Sequence, residues 1–200
     1  DVLASLRGTQ TLAMDIHDRP DWVAAKLEEI SAAFLEAWER EYQMTRQPDG
    51  SSCCCAYRVW GPGRVMMQFC DFSSMISSEV FRRFMVPIIE RESALADHAY
   101  FHLDGHECLR HLDAILGIET LGAIEWTPSP NQPHGASPCY FEMYERMRAA
   151  GKSIILIQIP PESVIPLLDA IGPHGLYLHT DLSDPDRAAA LLGKIEAYRT

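Results

Sequence analysis

The chain has 200 residues, of which 47% are hydrophobic and 22% charged, and a formal net charge of −11. This composition is typical of a globular protein with one good-sized core, and the negative charge disfavours a nucleic-acid partner because no basic stripe is present to neutralise phosphates. No run approaches the roughly 20 apolar residues of a membrane span, and the first residues lack the features of a signal peptide, so we expect a cytoplasmic protein without membrane contact.

The six cysteines do not follow a pattern typical of a zinc site or a disulfide framework. Three of them are consecutive and no CxxC pair is present. Neighbouring side chains on a strand point to opposite faces, so the triplet cannot converge on one metal ion. We expect reduced and mostly buried thiols at all six positions, Cys53, Cys54, Cys55, Cys70, Cys108 and Cys139.

The first 60 residues or so are predicted to hold a long helix and a strand. The apolar stripe of a helix runs from about residue 21 to residue 42, and Pro20 suits its first turn. The segment QPDGSS then breaks the helix. Beyond it, CCCAYRVW and, after the turn GPG, RVMMQFC are both typical of strands.

A second long helix is predicted from about Ser78 to Ala96, with Ser77 as its N-cap and a kink at Pro87. From there strands and helices alternate regularly. The predicted strands are AYFHLD, GAIEWT, SIILIQI and GLYLHT, and the helices after them are ECLRHLDAIL, PCYFEMYERMRAAG, ESVIPLLDAI and DPDRAAALLGKIEAYR. The apolar run IILIQI is typical of a parallel strand that is buried on both faces.

This alternation indicates either a doubly wound sheet or a βα barrel. Neither GxGxxG nor GxxxxGK[ST] follows any strand, so the fingerprints of dinucleotide-binding and P-loop proteins are absent. We count roughly five to six βα units, whereas a complete TIM (β/α)8 barrel takes about 250 residues. We therefore predict an α/β protein that forms the C-terminal part of a TIM barrel. It is expected to be one domain over residues 1–200, with regular βα units over 61–200.

Polar residues follow several predicted strands, where the active sites of such folds lie. His102 and Asp104 are two apart on one strand, so their side chains face the same way, and His179 stands at the same level of the last strand. The carboxylate can orient the imidazole for acid–base catalysis, or the three side chains can bind a divalent metal. A structural, hydrogen-bonded role for such histidines is the alternative.

Two further candidates also stand at strand ends. Asp71 follows the run VMMQFC and is predicted to face the substrate, with capping of the next segment as the alternative. Trp126 is a candidate stacking wall for a flat ligand, and aromatic packing explains it equally well. His106 and His111 belong to the helix predicted after the His102 strand and are expected to be solvated.

Four segments of the chain resemble the uroporphyrinogen decarboxylase superfamily. They cover most of the sequence from about Gly61 onward: MQFCDFSSMISSEVFRRFMVPIIERE, AYFHLDG, HLDAILGIETLGAIEWTP and GLYLHTDLSDPDRAAALLGKIEAY. The superfamily includes the decarboxylases of haem synthesis and the corrinoid- and coenzyme-linked methyltransferases, which are single TIM barrels. The resemblance depends on the spacing of the segments, since no single motif in them is specific.

The resemblance implies roles for the strand-end residues. Asp71 would line the substrate pocket, and His102 would match the first zinc ligand of the methyltransferases. Asp104 stands where those enzymes have a cysteine ligand, which leaves a harder donor set that is less suited to activating a thiol. His179 falls at or next to the third ligand, or at the histidine of the decarboxylases. The Arg-rich N-terminal motif of the decarboxylases has no counterpart in these residues.

Three functions follow from these residues and the resemblance. The first is a methyltransferase acting between a small methylated substrate and a corrinoid protein or related acceptor, with zinc held by His102, Asp104 and His179. The second is a metal-free porphyrinogen decarboxylase, a lyase in which Asp71 stabilises a cationic pyrrole intermediate. The third is a non-catalytic barrel that binds a small molecule. Exposed strand edges in a partial barrel also leave homodimer formation open.

Overall fold

The structure is a computed structural model that describes residues 1–54 and 56–198. Two predictions reach beyond this range, since the thiol of Cys55 and the end of the last predicted helix at Arg199 lie outside the described residues. Of the other cysteines, Cys70 and Cys108 are buried as predicted. Cys53 and Cys139 are exposed, so the prediction of a mostly buried set is wrong for them.

The helices form where apolar residues recur at helical spacing. The α-helices of the described residues are α1 Val2–Arg7, α2 Thr9–Asp18, α3 Pro20–Thr45, α4 Ser78–Phe84, α5 Val86–Ser93, α6 Leu112–Leu116, α7 Phe141–Ala149, α8 Pro161–Ile171 and α9 Pro185–Ile195. The first long helix predicted from the sequence is confirmed as α3. None of the helices among these residues has both the length and the apolar character needed to span a bilayer.

The second long helix is interrupted in the middle. It begins after Ser77, whose hydroxyl accepts a hydrogen bond from the amide of Val80 at 3.2 Å, so the predicted N-cap is confirmed. The helix stops at Met85 and starts again as α5, with Pro87 in its first turn. A proline inside a helix lacks the amide donor, and its ring clashes with the carbonyl four residues earlier. The predicted kink is therefore a break between two shorter helices.

The segment CCCAYRVW, predicted as one strand, forms a β-hairpin instead. Its strands β1 (Ser52–Cys54) and β2 (Val59–Gly61) pair antiparallel. Between them Arg58 adopts a left-handed conformation with φ +57°, which a continuous strand cannot contain. The prediction of a single strand is wrong for this reason, and the hairpin is separate from the main sheet.

Five parallel strands make up the main sheet. They are β3 Val65–Phe69, β4 His98–Asp104, β5 Ala123–Thr127, β6 Ser153–Leu156 and β7 Leu176–Leu178. Each strand pairs with the next one along the chain, and helices connect and flank the strands. The predicted α/β class is confirmed. Among the described strands the order does not reverse, as it would in a doubly wound sheet.

The two faces of this sheet have different surroundings because side chains alternate along each strand. On one face, which we call the helix side, apolar residues pack against helices in the largest core cluster: Met66, Phe101, Leu103, Ile124, Trp126, Ile154 and Leu156. On the other face, the hairpin side, a smaller cluster of Val65, Tyr100 and Ile155 packs against Tyr57 and Val59 of the hairpin. The hairpin therefore covers part of the face that the helices leave open.

Candidate functional site

A buried carboxylate holds His102 in place on the hairpin side of the sheet. His102 lies opposite Glu125 in the register of β4 and β5, so both side chains project from the same face. Nδ1 of His102 is hydrogen-bonded to Oε2 of Glu125, a residue that is 0% exposed. The other oxygen of Glu125 accepts a hydrogen bond from the Thr127 hydroxyl at 2.8 Å. Glu125 therefore fixes the imidazole through Nδ1, so a ligand would reach Nε2, where it would replace the contact of that nitrogen with the Tyr57 hydroxyl.

The charges around His102 act on its protonation. Burial lowers the pKa of His102, but the hydrogen bond and charge of Glu125, with the charges of Asp104 and Asp71, raise it overall. The hydroxyl oxygen of Tyr57, in the hairpin turn, lies 3.1 Å from each ring nitrogen of His102. Burial and the same carboxylates raise the pKa of Tyr57, so this phenol stays protonated and can donate to the imidazole.

Asp71 and Asp104 form a cluster with His102 whose donor atoms are close enough together to hold a metal ion. Asp71 begins the turn of 3-10 helix after β3, and Asp104 ends β4. One carboxylate oxygen of each and one ring nitrogen of His102 all lie within 4.8 Å of one another. Both carboxylates are exposed, whereas His102 is partly buried. The structure thus brings together three of the residues predicted from the sequence, at the C-terminal ends of neighbouring parallel strands.

His179 lies outside this cluster and contacts the hairpin instead. It follows β7, and its Nε2 is 2.9 Å from Nη1 of Arg58, which donates the hydrogen bond. Asp181 Oδ1 is 3.6 Å from the same nitrogen. A ring nitrogen that accepts a hydrogen bond from a guanidinium has its lone pair occupied and does not ligate a metal at the same time. The third ligand that this structure offers is therefore Asp71.

Trp126 projects from the opposite face of the sheet. Its side chain is 1% exposed, and the rings of His106 and Tyr140 pack against it with centroids 5.3 and 5.5 Å away. The residues of the His102 cluster are on the hairpin side, so β5 itself separates Trp126 from them. This placement corresponds to the packing alternative rather than to a stacking wall for a ligand.

The histidines that follow β4 are not solvated as the sequence suggested. His111 is 0% exposed, stacks on Phe81 and donates from Nε2 to the Ser73 carbonyl at 2.9 Å. Desolvation lowers the pKa of His111, which favours the neutral ring. His106 is half-buried and contacts the Ser129 hydroxyl. The prediction is wrong because this segment is a 3-10 turn that directs His111 into the core and His106 partly inward, while Glu107 and Arg110 remain exposed.

Sequence reasoning missed three residues around the cluster, namely Glu125, Tyr57 and Arg58. A lone carboxylate inside the otherwise apolar strand GAIEWT is a signal for a buried, paired charge, and this signal identifies Glu125. Its pairing with His102 depends on the register of the strands, which the sequence does not show. Tyr57 and Arg58 lie in the segment predicted as one strand. That prediction left out the hairpin turn, which directs both residues toward the sheet.

Comparison with protein-family models, curated proteins and solved structures finds no match to this chain. The structure itself defines a class: an α/β protein with a five-stranded parallel sheet and a cluster of one histidine and two aspartates where strands end. Ligands bind at that edge of parallel sheets in both open sheets and barrels.

Proposed function

We propose that this chain carries the metal site of a βα-barrel enzyme, with Asp71, His102 and Asp104 as ligands of a divalent ion such as zinc. The observation that carries the proposal is the convergence of the three donor atoms within 4.8 Å. Exposed carboxylates alone would be weak support. Here one of the three donors is the imidazole of His102, whose Nδ1 is hydrogen-bonded to the buried Glu125. A carboxylate in this position orients metal-binding histidines in proteins.

The donor set suits zinc or a harder divalent ion. One nitrogen and two oxygens are ligands that zinc accepts at about 2.0–2.2 Å, and three protein ligands leave a position open, as in catalytic zinc sites. Ligand atoms around such an ion are about 3.4 Å apart, so the donor atoms must close by at most roughly 1.4 Å. Rotation of the exposed side chains of Asp71 and Asp104 provides this movement.

The proposed reaction at this site is methyl transfer from a small methylated substrate to a corrinoid protein or related acceptor. A bound zinc ion would supply Lewis-acid chemistry. Glu125 keeps His102 in one tautomer and orientation, and the ring of Tyr57, whose centroid lies 5.1 Å from that of the imidazole, covers the site from the hairpin. Because the third donor is a carboxylate rather than a thiolate, the site favours a substrate that offers oxygen or nitrogen to the protein.

The strand order supports the fold part of the proposal. Sheet neighbours follow chain order without a reversal among the described strands, as they do in the TIM barrels of the uroporphyrinogen decarboxylase superfamily. The proposal includes a cytoplasmic location and a corrinoid protein as the macromolecular partner. β3 and β7 are the edge strands of the described sheet, and pairing of two copies through such edges is the alternative.

Metal content tests the proposal directly. The purified protein is stripped with a chelator, reloaded with zinc, and measured by elemental analysis and calorimetric titration. We expect about one zinc per chain in the wild type. We also expect zinc affinity to fall by at least about 10-fold in His102→Gln and Asp104→Asn, since losing even an outer partner of a ligand costs about 10–100-fold. His17→Gln and Asp18→Asn, exposed on α2, are matched controls that should keep the wild-type affinity.

Glu125→Gln separates the orientation of the imidazole from ligation itself. The amide has the shape of the carboxylate but lacks its charge, so we expect a folded protein whose zinc affinity is lower by about 10–100-fold. Circular dichroism checks that each variant is folded. A wild type that binds no zinc, or ligand variants that bind it as tightly as the controls, contradicts the metal site. The metal-free decarboxylase, with Asp71 as its charged group, is then the function to test.

A further inference from the structure

The turn of the hairpin is hydrogen-bonded to the last strand of the main sheet. The hydroxyl of Tyr177, on β7, donates toward the carbonyl oxygens of Arg58 at 3.0 Å and Tyr57 at 3.3 Å. Arg58 is held there at φ +57°, a left-handed conformation that is uncommon for residues other than glycine. Residues kept in such conformations by their surroundings concentrate at ligand-binding and active sites. The side chain of Arg58 is therefore a candidate ligand contact.

The guanidinium of Arg58 donates a hydrogen bond to an imidazole nitrogen rather than to a carboxylate. Its hydrogen bond goes to Nε2 of His179, which accepts only when that nitrogen carries no proton. Several other arginines pair with carboxylates, namely Arg7, Arg19, Arg40, Arg64, Arg91 and Arg146. Within the described part of the chain, Arg58 has no ion-pair partner of its own, and the nearby Asp181 Oδ1 lies 3.6 Å from His179 Nε2, so the guanidinium keeps N–H donors for an incoming anion.

Tyr57 joins this cationic group to the acidic cluster. Its hydroxyl contacts His102, and the charges of Glu125, Asp104 and Asp71 act on it. The next residue in the chain is Arg58, whose partner His179 follows β7. One dipeptide of the hairpin turn therefore spans from the ends of β3 and β4 to the end of β7. The same face of the sheet carries an acidic group of metal ligands and a cationic group.

We propose that Arg58 and His179 bind a carboxylate of the substrate, which makes the substrate a small organic acid. This inference rests on the proposed function in one respect, since it places the reacting end of that acid at Asp71, His102 and Asp104. The planar fork of a guanidinium donates two parallel hydrogen bonds to the two oxygens of a carboxylate, and this geometry selects carboxylates over uncharged groups.

Charge balance favours a carboxylate over a phosphate as the bound anion. The guanidinium of Arg58 offsets one negative charge at most, because Asp181 Oδ1 lies 3.6 Å from the nitrogen to which it donates, whereas a phosphate monoester carries about −1.5 to −2 at pH 7. Asp71, Asp104 and Glu125 already contribute negative charge to the same face, and the whole chain has a net charge of −11. A second negative charge on the bound group itself would be repelled by this field, whereas the two charges of a dicarboxylate such as succinate are on separate groups.

Binding of simple anions to the full chain tests the inference. Succinate, acetate and inorganic phosphate are titrated separately while ¹H–¹⁵N NMR spectra report the Arg58 side chain and the His179 backbone. We expect saturable shifts at both residues with succinate. Arg58→Gln should weaken succinate binding by about 10–100-fold, the effect of losing hydrogen bonds to a charged group. Arg58→Lys keeps the positive charge but lacks the planar fork of the guanidinium, so its succinate affinity should lie between those of the wild type and Arg58→Gln. Arg40→Gln, exposed on α3, is the control and should match the wild type.

Tyr177→Phe tests the positioning of the turn. It removes the hydroxyl that pins the carbonyls of Tyr57 and Arg58 but leaves the guanidinium itself intact. We expect succinate affinity to fall by about 2–10-fold, the effect of one neutral hydrogen bond. An affinity equal to that of the wild type means that the turn is not held by this contact and contradicts the positioning role.

Two outcomes overturn the carboxylate site: equal succinate affinity in Arg58→Gln and wild type, or tighter binding of phosphate than of succinate. Zinc content, measured on the same samples, should be unchanged in Arg58→Gln. Arg58-dependent succinate binding by a protein that takes up no zinc supports this site and contradicts only the metal site. Zinc uptake without Arg58-dependent succinate binding contradicts this site and leaves the metal site standing.

Discussion

The helix side and the hairpin side of the main sheet are made by the same five strands but differ in composition and cover. On the helix side the side chains are apolar and packed against helices, and Leu103 and Ile124 are 0% exposed. On the hairpin side, His102 and Glu125 lie above a smaller apolar cluster, and Phe69 is 45% exposed. Because side chains alternate between the two faces of a strand, one face can pack the stabilising core while the other face carries the polar side chains of a site.

The difference also explains why the polar side chains of the site need partners. On the hairpin side, the side chain of Glu125 is 0% exposed, and burying a carboxylate without a hydrogen-bond partner would cost free energy. The hydrogen bonds to His102 and Thr127 satisfy its two oxygens. The partners that stabilise the charge also fix the imidazole, so the local stability of this face and the geometry of the candidate site depend on the same contacts.

The largest effect that separates the two faces is expected from Trp126→Ala. Removal of a fully buried aromatic ring from the helix-side core should lower the free energy of unfolding by about 3–5 kcal/mol. Zinc affinity per folded molecule should not change, because the ring lies on the opposite face from His102. Urea unfolding and calorimetric titration measure the two quantities. Unchanged stability with altered ligand binding would restore Trp126 as a wall of the site.

A smaller effect is expected from Phe69→Ala on the hairpin side. Complete burial of such a side chain is worth about 1.5–3 kcal/mol, so a ring that is 45% exposed should contribute roughly 1 kcal/mol. Urea unfolding measures this loss under the conditions used for Trp126→Ala. Equal losses in the two variants would contradict the contrast between the faces, because they would imply that the hairpin side is packed as densely as the helix side.

The smallest expected effect is a change in how the free energy of unfolding depends on pH. It concerns the second of two buried carboxyl groups, Glu125 and Glu92. Glu125 faces His102, whereas Glu92, among the helices, accepts hydrogen bonds from the neutral side chains of Ser31 and Gln68. Burial raises the pKa of Glu92. Its contribution to stability is therefore complete below its unfolded-state pKa, about 4.3, and is lost as pH rises through the higher folded-state pKa.

Glu92→Gln removes this dependence, since an amide does not ionise. We expect the free energy of unfolding of the variant to gain on that of the wild type as pH rises above about 4.3. Urea unfolding at several pH values between 4 and 7 measures the difference. Glu145→Gln, exposed on α7, is the control and should show no such trend. A difference between Glu92→Gln and wild type that stays constant with pH contradicts the raised pKa.

The sequence predicted the repeating part of the fold better than its beginning. The strands from His98 onward are apolar runs bounded by turns and helices. Such runs are the sequence signal of parallel strands that are buried on both faces, so these strands could be predicted. The hairpin was not predictable in the same way, because one residue, Arg58, reverses a segment whose composition is typical of a strand. The break near Pro87 was predictable as a kink, since proline removes a specific hydrogen bond.

The candidate site was predictable where it depends on spacing within one segment. His102 and Asp104 are two residues apart on a strand, and Asp71 follows the neighbouring strand by two residues, so their convergence follows from strand geometry once the strands are parallel. The contact of Glu125 with His102 requires the register between two strands. The contact of Arg58 with His179 joins residues 121 apart in sequence, which no local pattern encodes.

The order of the strands has a consequence for how the protein assembles during synthesis. Each strand of the sheet pairs with the next one to leave the ribosome, so every pair closes a short loop at low entropic cost. His102 and Glu125 meet as soon as β5 has emerged. The hairpin turn is made early, but its anchor Tyr177 is synthesised about 120 residues later. The hydrogen bonds that hold the hairpin turn over the candidate site therefore form only after all five strands of the sheet have been synthesised.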